Sequence, residues 1–372
     1  MPTTGAYLVV GAIAAVVTFA ATPVVGAIAR RMGWVVEPDE RRVHTVATPD
    51  VGGIAMFIGF LAAFAAARLM DTFDPLFANF SEPRGVLFAA AVIFVVGFID
   101  DIREISAPAK VIGTIIAGVL LVVHGVTMFS FRVPFVDVYQ LTDGDWVPLI
   151  TVVWLLGMTT AINLIDGLDG LAAGIVAIGA GAFFLYSQRL ADIPGMITQP
   201  NIGSLIAILA VGICIGFLPH NFNPARIFMG DGGALLLGLL MAVTTSVVGG
   251  RADPYDPGVG GQTYFFLAPL VIPLFILGVP ILDTLFAIVR RATRRQGVAS
   301  ADKMHLHHRL MEMGHGQRRS VLILWAWTAL LSAFVLYPVF TGSGASYIPI
   351  GAAMLGLVLY TILHPQIRRR RT

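Results

Sequence analysis

The chain has 372 residues, of which 57% are hydrophobic and only 12% charged, with a mean hydropathy of +0.83. A soluble globular domain carries a charged fraction near 25%, so this composition excludes one and indicates a chain built for lipid. Net charge is only +2, and the single cysteine, Cys214, lies in an apolar run, which excludes a disulfide framework and a cysteine metal site.

Crossing the hydrocarbon takes about 20 apolar residues, within a usable range of roughly 17 to 25. Such runs fall near 6–29, 51–70, 84–99, 110–130, 147–164, 169–187, 203–219, 232–249, 265–289, 320–340 and 346–363. The third and fifth are short or interrupted, so ten spans is the alternative to eleven. The segment Met1 to Gly5 lacks the positive region of a cleaved secretory signal, so the first run is read as a retained span. One membrane domain is expected over 1–372, with a long basic loop at 290–319 and a basic tail at 364–372. The fold class is all-α and polytopic, with about eleven transmembrane helices.

Charge distribution tests that count. If the connections alternate between the two membrane faces, one face holds Arg68, Arg84, Arg132, Arg189 and Arg251, and the other holds the remaining 19 of the 24 Lys and Arg residues. The positive-inside rule makes the richer face cytoplasmic, leaving the amino terminus outside and the carboxyl terminus inside the cell membrane. A wrong count would scramble this split.

The conspicuous polar motifs then all fall on the basic face. His44 and Thr48-Pro49-Asp50-Val51-Gly52-Gly53 lie in the first loop there. Asp100-Asp101 closes the third span and Lys110 opens the fourth. Asn163 to Gly170, carrying Asp166 and Asp169, joins spans five and six, and Asn221 to Gly233, carrying Phe228 and Asp231, joins seven and eight. His305, His307, His308 and Arg309 sit in the long basic loop. Acids on the opposite face, such as Asp71, Asp74 and Asp143, stand among Pro and Gly in what read as ordinary solvated loops.

Carboxylates beside a membrane usually serve an ion, a pathway or a partner. Taken alone, Asp100-Asp101 is best read as a solvated helix end, and four further motifs on the same face reverse that preference. Oxygen donors in this number suit Mg²⁺, or Mn²⁺, better than zinc. Lys110, Arg226, Arg309 and the three histidines make a cradle for phosphates. Zinc at the histidines is disfavoured by the neighbouring Lys303, Arg309 and Arg318, which would repel a cation. Phe228 is placed to stack on a nucleobase. Asp283, about two turns inside span nine after Pro280, reads equally as a supporting residue or a lone capped acid. A divalent cation with phosphate-binding cations at a bilayer surface points to phosphoryl transfer involving a lipid.

These motifs resemble those of the polyprenyl-phosphate N-acetylhexosamine-1-phosphate transferases over nearly the whole chain. The likeness is carried by Phe98-Ile99-Asp100-Asp101, Asn163 to Gly170, Phe228-Met229-Gly230-Asp231 and His305 to Arg309. It implies that a polyprenyl phosphate attacks the β-phosphorus of a UDP-N-acetyl sugar, releasing UMP, with Mg²⁺ required. It further implies that Asp231 and Asn163 hold the metal, that Asp100 and Asp101 handle the lipid phosphate, and that Lys110 binds phosphate. Asp166, Asp169, Phe228 and Asn221 would surround the nucleotide, and His305, His307, His308 and Arg309 the diphosphate and sugar. The histidine loop resembles the branch using UDP-GlcNAc, and Asn223-Pro224-Ala225-Arg226 resembles the actinobacterial members, whose lipid is decaprenyl phosphate. Because the second pKa of a phosphate monoester is near 6, the attacking lipid hardly needs a base. A positioning role for the aspartate pair is therefore expected over a covalent aspartyl-phosphate. The rival readings are a muramoyl-pentapeptide phosphotransferase and, from another class, a secondary transporter. The expected partners are UDP-GlcNAc, polyprenyl phosphate and the bilayer, with a homodimer left open and no nucleic acid. The Arg368–Arg371 tail reads as an anchor for anionic headgroups.

Overall fold

The computed structural model describes residues 2–37, 47–78, 81–127, 130–132, 138–140, 146–191, 202–248, 316–341, 349–357 and 359–360. The expected ninth span at 265–289 lies outside them, as do the tail, most of the basic loop, His44, Asp283, His305, His307, His308 and Arg309.

Helix dominates, as the apolar runs require. In chain order the helices are α1 (Thr4–Met32), α2 (Gly53–Arg68), the short α3 (Asp74–Ala78), α4 (Glu82–Arg103) and α5 (Ala107–Val123). There follow α6 (Val147–Ile165), α7 (Leu171–Ala191), α8 (Ile202–Asn221), α9 (Gly230–Val248) and α10 (Gln317–Thr341). Residues 349–357 are also helical, inside the last expected span. Among the described residues six helices are long and apolar enough to cross a membrane: α1, α4, α6, α7, α8 and α9. A seventh crossing is counted if α2 and α3, bent by 88° to each other, form one broken span.

Helix α9 is the axis of the bundle. It packs against α2, α4, α6, α7 and α8, and every residue from Gly232 to Val248 is buried. A helix apolar on all sides is stable only when fully enclosed by others or by lipid, and here other helices enclose it. Outward, α1 carries Leu8, Val16, Phe19, Val24 and Ile28 about half exposed, the pattern of a lipid-facing stripe.

Three details depart from the sequence reading. The apolar run at 110–130 does not stay helical, because Gly125 at φ +84° closes α5 with a Schellman motif. There the Gly125 amide bonds the Val122 carbonyl at 3.0 Å and the Val126 amide bonds the Leu121 carbonyl at 2.9 Å, with Leu121 and Val126 both buried. Helix α4 runs past 99 to Arg103, so Asp100 and Asp101 stand within its last turn. The all-α reading also missed two small antiparallel strand pairs, β1 (Val35–Val36) with β2 (Thr48–Pro49), and β3 (Ser130–Arg132) with β4 (Val138–Gln140). The first matters for the site, since it brings Asp50, just after β2, back beside the end of α1, where its amide bonds the Trp34 carbonyl.

Candidate active site

Three helices deliver charge to one point. The Lys110 ammonium, in the first turns of α5, lies 2.6 Å from Asp100 Oδ2 of α4 and 2.6 Å from Asp231 Oδ2 of α9. Asp100 is held from behind by the Ile105 amide, which donates to its Oδ1 at 2.8 Å. That bond needs a sharp exit from α4, and Glu104 takes φ +44° to make it. A non-glycine residue there is strained, and such strain persists where the surroundings enforce it.

The other carboxylate of the pair faces differently. Asp101 Oδ1 accepts the Asp231 amide at 2.6 Å and its Oδ2 accepts the Gly232 amide at 3.0 Å. Close approach of α4 to α9 makes this reach possible. A Cβ on Gly97 would come within 2.6 Å of the Asp231 and Gly232 backbone. The segment before α9 is held on its other side by strand-like bonds, from the Phe228 amide to the Pro49 carbonyl and from the Gly52 and Gly53 amides to the Phe228 and Met229 carbonyls.

Helix α6 brings the third acidic group. Gly238 of α9 crosses it against Thr159. Asp231 and Asp166 each lie seven residues from that crossing, about 10 Å along their helices, and so at the same level. Asp166 sits in the turn after α6, where its amide bonds the Asn163 carbonyl at 3.2 Å. Burial of its carboxyl, then the negative charges of Asp50, Asp231 and Asp169, push its pKa up to about 8.

The expected nucleotide residues gather on the adjoining turns. Asp169 Oδ2 accepts the Asn223 side-chain amide at 2.8 Å and the Ala225 backbone amide at 3.0 Å. Asn223 also donates to Gln317 Oε1 at 2.6 Å, and Arg318 Nε donates to the Asn223 carbonyl at 2.9 Å. These bonds tie the start of α10 to the loop between α8 and α9. Asn221 is buried, and its amide is engaged by the protein on both sides: Oδ1 accepts the Gly170 amide at 2.9 Å and Nδ2 donates to the Ile227 carbonyl at 3.1 Å. In this conformation Asn221 clamps two loops, while Phe228 remains half-buried beside them. An open cavity of about 550 Å³ adjoins Asp101, lined also by Val35, Val36, Glu37, Ile102, Arg103 and Glu104.

The residues missed as site groups are Asp50 and Asn223, both inside motifs noted above but given no role there. Asp50 carried a usable signal, an acid between Pro49 and two glycines at the start of a helix. Among the described residues no three His, Cys, Asp or Glu side chains are grouped tightly enough to enclose a metal ion unaided. Mg²⁺ does not ask for that, since it commonly takes one or two carboxylates, keeps several waters and accepts substrate phosphates. The hard oxygen donors at the mouths of α6 and α9 fit such an ion.

Comparison with known proteins agrees with this chemistry. The family model described as glycosyl transferase family 4 matches residues 84–249, from α4 through α9. The chain is 37% identical over 367 residues to the decaprenyl-phosphate N-acetylglucosaminephosphotransferase of Mycobacterium leprae, covering 97% of this chain and 90% of that one. It is 28% identical over 321 residues to the undecaprenyl-phosphate alpha-N-acetylglucosaminyl 1-phosphate transferase of Thermotoga maritima, covering 86% of each. It is 32% identical over 343 residues to the phospho-N-acetylmuramoyl-pentapeptide-transferase of Desulforudis audaxviator, covering 86% of this chain and 93% of that one. Likeness of this extent, running through every helix that bears a site carboxylate, makes the chain a member of glycosyl transferase family 4.

Proposed function

We propose that the protein transfers N-acetylglucosamine 1-phosphate from UDP-GlcNAc to a polyprenyl phosphate, of decaprenyl length, at the cytoplasmic end of an eleven-span bundle in the cell membrane. The observation that carries this reading is the bridge from Lys110 to Asp100 and Asp231, which joins three helix ends into one charged centre. Its support comes from the decaprenyl-phosphate relative, which matches at higher identity and over more of this chain than the pentapeptide transferase does. The cytoplasmic assignment rests on the charge split between the two faces.

In the reaction an oxygen of the lipid phosphate forms a bond to the β-phosphorus. The bond from that phosphorus to the bridging oxygen breaks, and UMP leaves with the electron pair. Little covalent work falls to the protein, and its task is alignment and charge neutralisation. Lys110, paired with Asp100 and Asp231, is placed to donate to phosphate oxygens as substrates enter. Asp231, with the Asn163 amide and Asp166 nearby, would hold Mg²⁺, which supplies neutralisation of the diphosphate. Asp169 and Phe228 would border the uridine. A transporter reading is disfavoured, since transporters gather their polar site near the bilayer midplane, and here the acids stand at helix ends.

The test is release of UMP by purified protein in lipid nanodiscs. Turnover is expected with UDP-GlcNAc, decaprenyl phosphate and Mg²⁺ together, and none when any one of the three is omitted. Turnover with the muramoyl-pentapeptide nucleotide in place of UDP-GlcNAc would overturn the donor assignment.

A further inference from the structure

The amino terminus of α9 has no cap of its own. Gly230, its first residue, at φ +69°, has no side chain to offer, and the preceding Met229 is apolar and buried. Asp231 and Gly232 follow in the first turn, where amides find no carbonyl within the helix. Both donate instead to Asp101, one to each carboxylate oxygen, at 2.6 and 3.0 Å. A side chain of α4 thus does for α9 what a Ser or Asp at its own cap would do.

Its neighbour is committed elsewhere. Asp100 turns its Oδ2 to Lys110 and its Oδ1 to the Ile105 amide. Successive residues on a helix point about 100° apart, so the two adjacent carboxylates cannot share one task. Gly97, one turn before Asp101 on α4, touches the same Asp231–Gly232 backbone. Contact and cap together fix both the distance and the rotation of the first turn of α9.

We propose that the aspartate pair divides its labour: Asp100, with Lys110, meets the reacting phosphates, while Asp101 is a positioning residue that acts through α9 by fixing where Asp231 stands. This rests on the phosphotransferase reading above and departs from the expectation that both aspartates handle the lipid phosphate. Because a misplacement of about 1 Å in a reacting group can cost about a hundredfold in rate, a two-point hold on the backbone of Asp231 has kinetic consequences.

The experiment compares Asp101→Asn and Asp101→Ala with Asp100→Asn, each as full chain in nanodiscs, by kinetics and by amide hydrogen exchange across the first turn of α9. Asparagine keeps one acceptor oxygen and so one of the two caps. The expected result is graded, with kcat down about tenfold in Asp101→Asn and at least about a hundredfold in Asp101→Ala, as loss of one or both bonds implies. The KM for UDP-GlcNAc should change less than kcat in Asp101→Asn, since Asp231 is displaced but not removed. Exchange at the Asp231 and Gly232 amides should rise in the same order and stay at the wild-type rate in Asp100→Asn. Equal inactivity of Asp101→Asn and Asp101→Ala with unaltered exchange would overturn the proposal, because it would mean that the charge itself touches substrate. If Asp101→Ala does not fold, Asp101→Asn against wild type decides by the same two readouts. Should wild-type protein release no UMP, the phosphotransferase reading fails, while the exchange comparison still decides whether Asp101 caps α9.

Discussion

Removing the Lys110 cation tests the centre of the site most sharply. Asp100 Oδ2 and Asp231 Oδ2 each lie 2.6 Å from its nitrogen, so the two carboxylate oxygens stand no more than 5.2 Å apart. All three side chains are less than a third exposed, so water screens them only in part. Two like charges at about 5 Å and an effective dielectric near 20 repel by about 3 kcal/mol, and Lys110→Gln uncovers that repulsion while removing two attractions. Without divalent cation the variant should lose about 2–4 kcal/mol of stability, within the range for breaking partly buried pairs. Added Mg²⁺ should recover most of the loss by supplying the missing charge. Turnover should not recover with it, because the phosphates have lost their cation, and a deficit of about a hundredfold or more in kcat is expected. Thermal unfolding in nanodiscs with EDTA or Mg²⁺, beside the UMP assay, reads both effects. Unchanged stability in EDTA together with near wild-type turnover would refute the reasoning.

Three further outcomes follow from the geometry. The Asp166 carboxyl, raised from 3.8 to about 8, keeps a proton in the native protein that the unfolded chain has already released, so metal-free stability should fall as pH rises between those values. Thermal scans in EDTA at about pH 6 and about pH 8 should show that fall in wild type and a smaller one in Asp166→Asn; an equal fall in the two proteins would contradict it. Gly97→Ala forces a methyl group against the Asp231 backbone, and turnover should drop about a hundredfold with helix content by circular dichroism unchanged. Glu104→Gly relieves a φ of +44° without removing the Ile105 bond to Asp100. Stability should hold or rise by up to about 1 kcal/mol, with turnover within about twofold of wild type; a larger kinetic loss would mean that the Glu104 side chain itself acts.

Much of the scaffold was legible because lipid imposes a simple demand. Each described helix but the short α3 falls on an apolar run. Helix ends were less legible. Gly125 is a stop signal within the run at 110–130 that hydropathy does not register. The apolar run at 84–99 is shorter than α4, because a helix continues through charged residues wherever partners are supplied, here by Lys110 and by the amides of α9. The site was legible as a set of acids on one face. Its internal division was not, because Asp101 and the amides that it caps are separated by 130 residues of sequence. Nothing local distinguishes one aspartate of an adjacent pair from the other until α4 is docked against α9. Asn221 shows the same limit, since its polarity suggests a ligand contact and its burial against Gly170 and Ile227 gives it a clamp's work.

The central claim is that carboxylates from separate helices form one divalent-cation and diphosphate site at the mouth of α9. The most direct measurement is anomalous scattering from the protein crystallised with Mn²⁺ and UDP-GlcNAc. A single strong peak within about 2.5 Å of an Asp231 carboxylate oxygen, bridged to the nucleotide diphosphate, is the result expected for an ion of this class. A peak remote from Asp231, or a nucleotide bound away from the ends of α4, α6 and α9, would contradict it.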